Sequence, residues 1–267
     1  MPLLFSGTVL AAEPEEDPWP VRNIDRPPVL PPGFSRLDVL ASGTHGQEDS
    51  LRLSGDVGYG PVKQLEIGAL FFDLQLAPRI AVGDPSIYGL YSLDLLPTLS
   101  FTPFGRVSVP LARPLALQLG AELGLRLASA FEIDARPSYL QRFGSEPLAL
   151  LSLPFAFKLQ PLRRLVFTPL LGATLSREGD RSQIERKRLL VFDSGTALLG
   201  FELGLTAGER PGLLTELVLL WEWPALVVVT GSATRFNPGE WSLSLGARFF
   251  AGPQGATRSR ALAAPED

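Results

Sequence analysis

Hydrophobic and polar residues alternate with a period of two along most of the chain. From Leu115 to Leu127, one parity reads Leu115, Leu117, Leu119, Ala121, Leu123, Leu125, Leu127, and the other reads Ala116, Gln118, Gly120, Glu122, Gly124, Arg126. A strand turns successive side chains to opposite faces, so this segment has an apolar face and a face of small, polar and charged groups. Wound as a helix, it would scatter its leucines all round. The alternation recurs in 51–59, 65–71, 199–205 and 241–249. About twelve segments are read as strands: 34–42, 51–59, 65–76, 86–94, 95–103, 105–111, 115–128, 148–159, 165–175, 194–206, 213–223 and 240–250. No segment reads convincingly as an amphipathic helix. A single apolar helix over 213–230 is the alternative there. Glu216, Glu222 and Pro224 oppose it, because each charge costs about 2.5–3.5 kcal/mol on membrane-insertion scales.

Two features decide which face looks inward. The polar parity is rich in Gly, Ser and Ala, which fit a confined interior. The strands are also long. About ten residues at roughly 3.3 Å each, tilted about 40°, cross roughly 25 Å, the apolar band of an outer-membrane barrel. A charge on the lipid face near midplane costs about 2–4 kcal/mol, and the apolar parity of the clearest strands carries none. Asp73 falls on that parity, but at a strand end. The expected fold is all-β: a closed antiparallel transmembrane β-barrel of about 12 strands.

Connection lengths agree. Short links at 60–64, 112–114, 160–164 and 207–212 alternate with longer ones at 43–50, 77–85, 129–147, 176–193 and 224–239. Short periplasmic turns and long outer loops give that rhythm, and it places both termini on the periplasmic side, with a tight outer turn near Phe104–Gly105. Pro154 and Pro169 interrupt one hairpin; folding about residue 162 sets them nearly opposite, which predicts a shared bulge or kink.

The ends differ from this body. Residues 1–12 resemble the end of a secretory signal, with Val9 and Ala11 small enough for the cleavage positions. Residues 13–33 carry an acidic cluster and seven Pro and read as an extended periplasmic linker. Residues 34–250 form the barrel, and 251–267 a flexible tail.

Composition then narrows the function. The chain of 267 residues has no Cys and one His, His45, so disulfides, thiolate zinc sites and Cys nucleophiles are excluded, and no metal site or cofactor is expected. A net charge of −4 gives nucleic acid no basic face. Charged residues are 19% of the chain, below the usual level of about 25%, as a largely lipid-facing surface requires.

The chain resembles Gram-negative outer-membrane β-barrels. Residues 57–71 (VGYGPVKQLEIGALF) resemble a strand–turn–strand hairpin common in that class. Residues 82–93 (VGDPSIYGLYSL) are similar to a loop-to-strand segment of the channel-like family linked to aromatic-compound degradation, with Leu90 in place of the usual basic residue. The last strand, WSLSLGARFF, resembles the signal read by barrel-assembly machinery, although seventeen residues follow Phe250. The resemblance implies an outer-membrane location, with lipid, lipopolysaccharide and that machinery as partners.

The inward parity nominates lumen-lining residues: Arg36, Arg52, Asp56, Glu66, Gln118, Glu122, Arg126, Lys158, Glu202, Glu216 and Arg248, with Asp38 and Glu222 beside them. Mixed charges either line a water-filled passage for small solutes, with weak cation preference from the negative excess, or pair and fill a structural, surface-binding barrel. A lipid-modifying barrel enzyme is the third reading. It has only His45, within ASGTHGQEDS, and the spacing there matches no nucleophile motif, so no catalytic residue is nominated. Loop 176–188 has a net charge of +2 and is read either as a solvated loop or as a surface for lipopolysaccharide phosphates. Tyr59, Phe71, Tyr88, Tyr91, Phe192, Trp221, Trp223, Trp241 and Phe249 are expected in interfacial girdles.

Overall fold

The computed structural model describes residues 20, 22–46, 49–109, 111, 114–144, 148–178, 194–210, 212–230 and 233–253. The chain runs as an antiparallel meander that closes on itself. Its strands are β1 (Ser35–His45), β2 (Ser50–Val62), β3 (Leu65–Ala77), β4 (Ala81–Val82), β5 (Ser86–Tyr91), β6 (Leu93–Leu96), β7 (Leu99–Ser108), β8 (Ala116–Ala128), β9 (Phe131–Ala135), β10 (Ser138–Arg142), β11 (Leu148–Leu162), β12 (Leu165–Glu178), β13 (Ser194–Arg210), β14 (Leu213–Thr230), β15 (Ala233–Phe236) and β16 (Trp241–Ala251). β5 and β6 share one stave, β9 and β10 another, and β15 and β16 lie along β14 as a third; β4 is a stub on β3. Twelve staves result. β16 pairs with β1 from Ser35↔Ala251 to His45↔Trp241, which closes the ring. Closure gives the sheet backbone its partners without water and leaves no edge.

The barrel is inside-out relative to a soluble protein. Among the described residues, 38 large hydrophobic side chains are exposed and only nine hydrophobic residues are buried. Leu119, Leu123, Leu125 and Leu127 of β8 all face outward. Residues 213–230 are strand β14, with Glu216 turned inward, and the one helical element among the described residues is the turn Asn23–Asp25.

Two residues separate the strands at each of five connections: Val62 to Leu65, Leu96 to Leu99, Ala128 to Phe131, Leu162 to Leu165 and Arg210 to Leu213. They lie at the end where β1 begins and β16 finishes, and longer connections occupy the other end. This is the expected rhythm, but two strand assignments beneath it are corrected. Segments 95–103 and 105–111 are not two strands. β7 runs unbroken through Phe104–Gly105, where Pro103 and Gly105 on the outward parity erase the apolar pattern. Link 112–114 therefore belongs to the long-loop end. The missing stave lies inside the expected loop 129–147, where β9 and β10 keep one phase across Arg136–Pro137. It was hidden because Pro137 splits it and Leu140 puts an apolar side chain on the inward parity.

Two details of register also differ. Pro154 pairs with Gly172, whose missing Cβ would lie 3.2 Å from the proline Cα. Pro169 pairs with Phe201 of β13, so the prolines are not opposite and share no bulge. The β11–β12 irregularity lies nearer the turn, between Leu159 and Leu162. Asp73 is not on the lipid face. A bulge in β3 between Asp56↔Leu70 and Gly55↔Phe72 reverses the phase, so Asp73 turns inward opposite Ser54, as an extra residue in one strand must cause.

Candidate functional site: the charged wall and the N-terminal strap

Near the short-turn end the inner wall carries a belt of paired charges. Arg36 on β1 lies 3.1 Å from Asp38, 3.3 Å from Asp56 on β2 and 3.2 Å from Glu66 on β3. The Tyr88 hydroxyl on β5 donates to Asp56 at 2.7 Å and accepts from Arg36 at 3.0 Å. Lys158 on β11 meets Glu132 at 2.8 Å and Asp134 at 2.7 Å, both on β9. Arg248 on β16 reaches across β14 to fork onto Glu202 of β13 at 3.1 and 3.2 Å. Glu122 pairs with Arg136, and Gln118 donates to Ser138 at 3.1 Å. Arg52 and Asp73 pair farther toward the loop end. Glu222 shares the inward face of β14 with Glu216.

Every nominated lumen residue thus faces inward, but most pair along the wall with a neighbour one or two strands away. Three carboxylates surround Arg36 and two surround Lys158, so the wall is locally rich in negative charge. The alternation had not nominated Asp73, hidden by the bulge, or Glu132, Asp134 and Arg136, hidden in the missed stave. Tyr88 was expected in a girdle and is corrected to the lumen by its bonds to Asp56 and Arg36. Gln160 lies in β11, not in the turn that the sequence predicts over 160–164.

Among the described residues, the groups that cross the bore come from ahead of β1. Residues 22–33 are expected within the extended linker, and Phe34 at the start of the barrel. Instead they form a strap folded against the inner wall, in which Ile24, Val29, Leu30 and Phe34 are all buried. On one side, Asp25 pairs with Arg126 of β8, Arg22 donates to the Ser129 carbonyl, and the Ile24 amide donates to Gln160 Oε1 of β11 at 2.9 Å. On the other, Arg26 and Asn23 donate to Glu216 of β14 at 2.7 and 3.3 Å, and the Leu30 amide donates to Glu66 Oε2 at 3.1 Å. The two sides are separated by roughly half the ring.

The end of the strap is fixed more firmly. The Gly33 amide donates to the Gly60 carbonyl, and the Gly60 amide donates to the Phe34 carbonyl. A Cβ at Gly60 would overlap the carbonyl oxygens of Leu30 and Pro31; glycine is required there by close approach. Leu30 and Phe34 pack with Leu214 and Phe250. Twelve staves about 4.8 Å apart, tilted about 40°, enclose a backbone diameter of roughly 24 Å. Lining side chains take several ångströms from each side, so a crossing chain occupies much of what remains.

On the outside, Trp221 stacks on Trp241 at 5.1 Å, Trp223 lies 5.8 Å from Trp221, and His45 lies 5.5 Å from Trp241. Tyr59 and Tyr91 face outward near the short-turn end, so aromatics mark both rims. His45 Nδ1 is 2.9 Å from Asp49 at the loop-end rim. Phe192 and most of loop 176–188 lie outside the described residues, as do 1–12 and most of the tail; Ala251 belongs to β16.

No family model matches the sequence, and no curated protein matches it. Among solved structures, the fold is similar to the NanC porin, at 11% identity and a TM-score of 0.55 over 81% of this chain and 99% of that one. It is also similar to an outer-membrane channel from Pseudomonas putida F1, at 12% identity and a TM-score of 0.56 over 84% of this chain and 96% of that one. The likeness is one of fold: this chain is built as a closed antiparallel β-barrel, as that porin and that channel are.

Proposed function

We propose that the protein is an outer-membrane channel that lets small solutes cross passively, with its inward charges as the lining. One observation carries this reading: among the described residues, the charged side chains of the barrel pair along the wall with near neighbours, as Arg36 does with Asp56 and Glu66, and only the N-terminal strap crosses the bore. A barrel filled by its own wall would have pairs reaching across instead. Carboxylates crowd around Arg36 and Lys158, so cations are the favoured ions. His45 belongs to the aromatic rim by this reading and holds no catalytic role. Planar-bilayer recording of the full-length protein tests the proposal. Unitary currents with a reversal potential of cation sign in a salt gradient are expected; absence of conductance above background overturns it.

A structural barrel closed by its own N-terminal segment is the second reading, and the crossing strap is the observation that favours it. Silent recordings from a barrel shown to be folded by its heat-modifiable migration would support that reading.

A further inference from the structure

The strap has two halves held by different physics. Its anchor, Val29–Phe34, is fixed by apolar packing of Leu30 and Phe34 on Leu214 and Phe250, and by backbone bonds to Gly60. Its arm, Arg22–Arg26, crosses the bore with Ile24 buried and Arg26 over the Phe250 ring, and makes polar contacts that the anchor lacks: Asp25 to Arg126, Arg26 to Glu216 and the Ile24 amide to Gln160. Pro27 and Pro28 join the halves. Their fixed φ and missing amide protons leave this joint without backbone donors, so it adds no ladder bond that would tie arm to wall.

Apolar burial and ion pairing respond differently to a charged, hydrated solute. A solute in the lumen offers Arg126 and Glu216 replacement partners and water, whereas it offers nothing to Leu30 and Phe34 buried away from the bore. The arm's polar contacts can therefore be exchanged, with the buried Arg26–Glu216 pair setting most of the cost, while the anchor stays. Net contributions of exposed ion pairs are small, about 0–1 kcal/mol, and the Asp25–Arg126 pair retains solvent contact on both sides. Arg26–Glu216 is the buried latch.

We propose that Arg22–Arg26 is a resident gate at the short-turn mouth, joined through the stiff Pro27–Pro28 step to the fixed anchor Val29–Phe34, and that solutes pass when it leaves Arg126, Gln160 and Glu216. This rests on the passage reading above and adds a gate to it.

The absence of cysteine makes the test clean. In the full chain, Ile24→Cys with Gln160→Cys places two unique thiols across the arm's contact with β11, and a short reducible bis-methanethiosulfonate links them. A second protein carries Asp25→Arg with Arg26→Glu, which sets like charges against Arg126 and Glu216. Heat-modifiable migration establishes that each barrel is folded before bilayer recording. The linked protein is expected to stay closed and to regain unitary currents on reduction. The charge-reversed protein is expected to show a mean conductance raised by roughly fivefold or more. Equal conductance in linked, reduced and charge-reversed proteins overturns the gate and leaves the passage standing. Silence in all of them, including the charge-reversed form, overturns the passage and the gate together.

Discussion

Arg26, nine residues before β1, donates to Glu216 of β14 at 2.7 Å, and both side chains are almost wholly buried, at 6% and 1% exposure. The guanidinium also lies over the Phe250 ring, 5.1 Å from its centroid. A residue of the Pro-rich lead thereby neutralises a carboxylate of the barrel wall, and the lead becomes part of the lumen.

Arg26→Ala should release the arm. Removing one partner of a buried pair costs about 3–5 kcal/mol where the other charge is left uncompensated; Glu216 keeps the Asn23 hydrogen bond and the positive charge of Arg248, its partner across the ladder, so the loss should fall below that range. Amide exchange at Ile24 should accelerate strongly, with a smaller change at Leu30 in the anchor. Unchanged exchange at Ile24 would show that the pair does not hold the arm.

Gly60→Ala should loosen the anchor without unmaking the barrel. The added methyl would overlap the Leu30 and Pro31 carbonyl oxygens, while β2 keeps its partners on both sides. Trypsin cleavage after Arg22 is expected to rise, with heat-modifiable migration retained. A variant as resistant as the parent would show that the strap accommodates the methyl.

Adjacent positions on β8 should respond oppositely to the same charge. Leu119 is 55% exposed on the outer face, and Leu119→Arg should cost about 2–4 kcal/mol if it lies near midplane. Gln118→Arg, one residue away on the lumen face, should fold into vesicles nearly as well as the parent. Equal folding yields for the two would contradict the assignment of faces.

Arg52→Ala should strand the buried Asp73 carboxylate at a cost of about 1–3 kcal/mol, and Asp73→Asn in the same chain should recover part of it. Urea unfolding in vesicles, read by the heat-modifiable band, measures both. If Arg52→Ala alone is neutral, the pair is ornamental to β2–β3.

Much of this architecture was legible in the letters, and the exceptions are instructive. β8 announces itself because its six outward positions, from Leu117 to Leu127, are apolar without interruption. β7 and β9–β10 obey the same parity, yet Pro103, Gly105 and Pro137 stand where an apolar side chain would have signalled it. Asp73 was misplaced for a different reason: parity propagates only while the ladder is regular, and the bulge between Leu70 and Phe72 adds one residue that no local pattern marks. The wall charges were found because a lipid-facing charge is so costly that alternation must put them inside.

Sequence alone determined a β-chain of about twelve staves, apolar outside and polar within, turning tightly at the end where the first strand begins and the last finishes. Those properties follow from the period of the strand and from the cost of charge in hydrocarbon, which act residue by residue. Only the tertiary structure decided that Arg36 answers three carboxylates, that Lys158 answers two, and that the lead folds back through the mouth. Those facts depend on register between distant strands and on closure of the ring, which brings Asp25, Arg26 and Leu30 against Arg126, Glu216 and Glu66. A proline-rich run has no periodicity from which to read a docking site; the barrel around it supplies one.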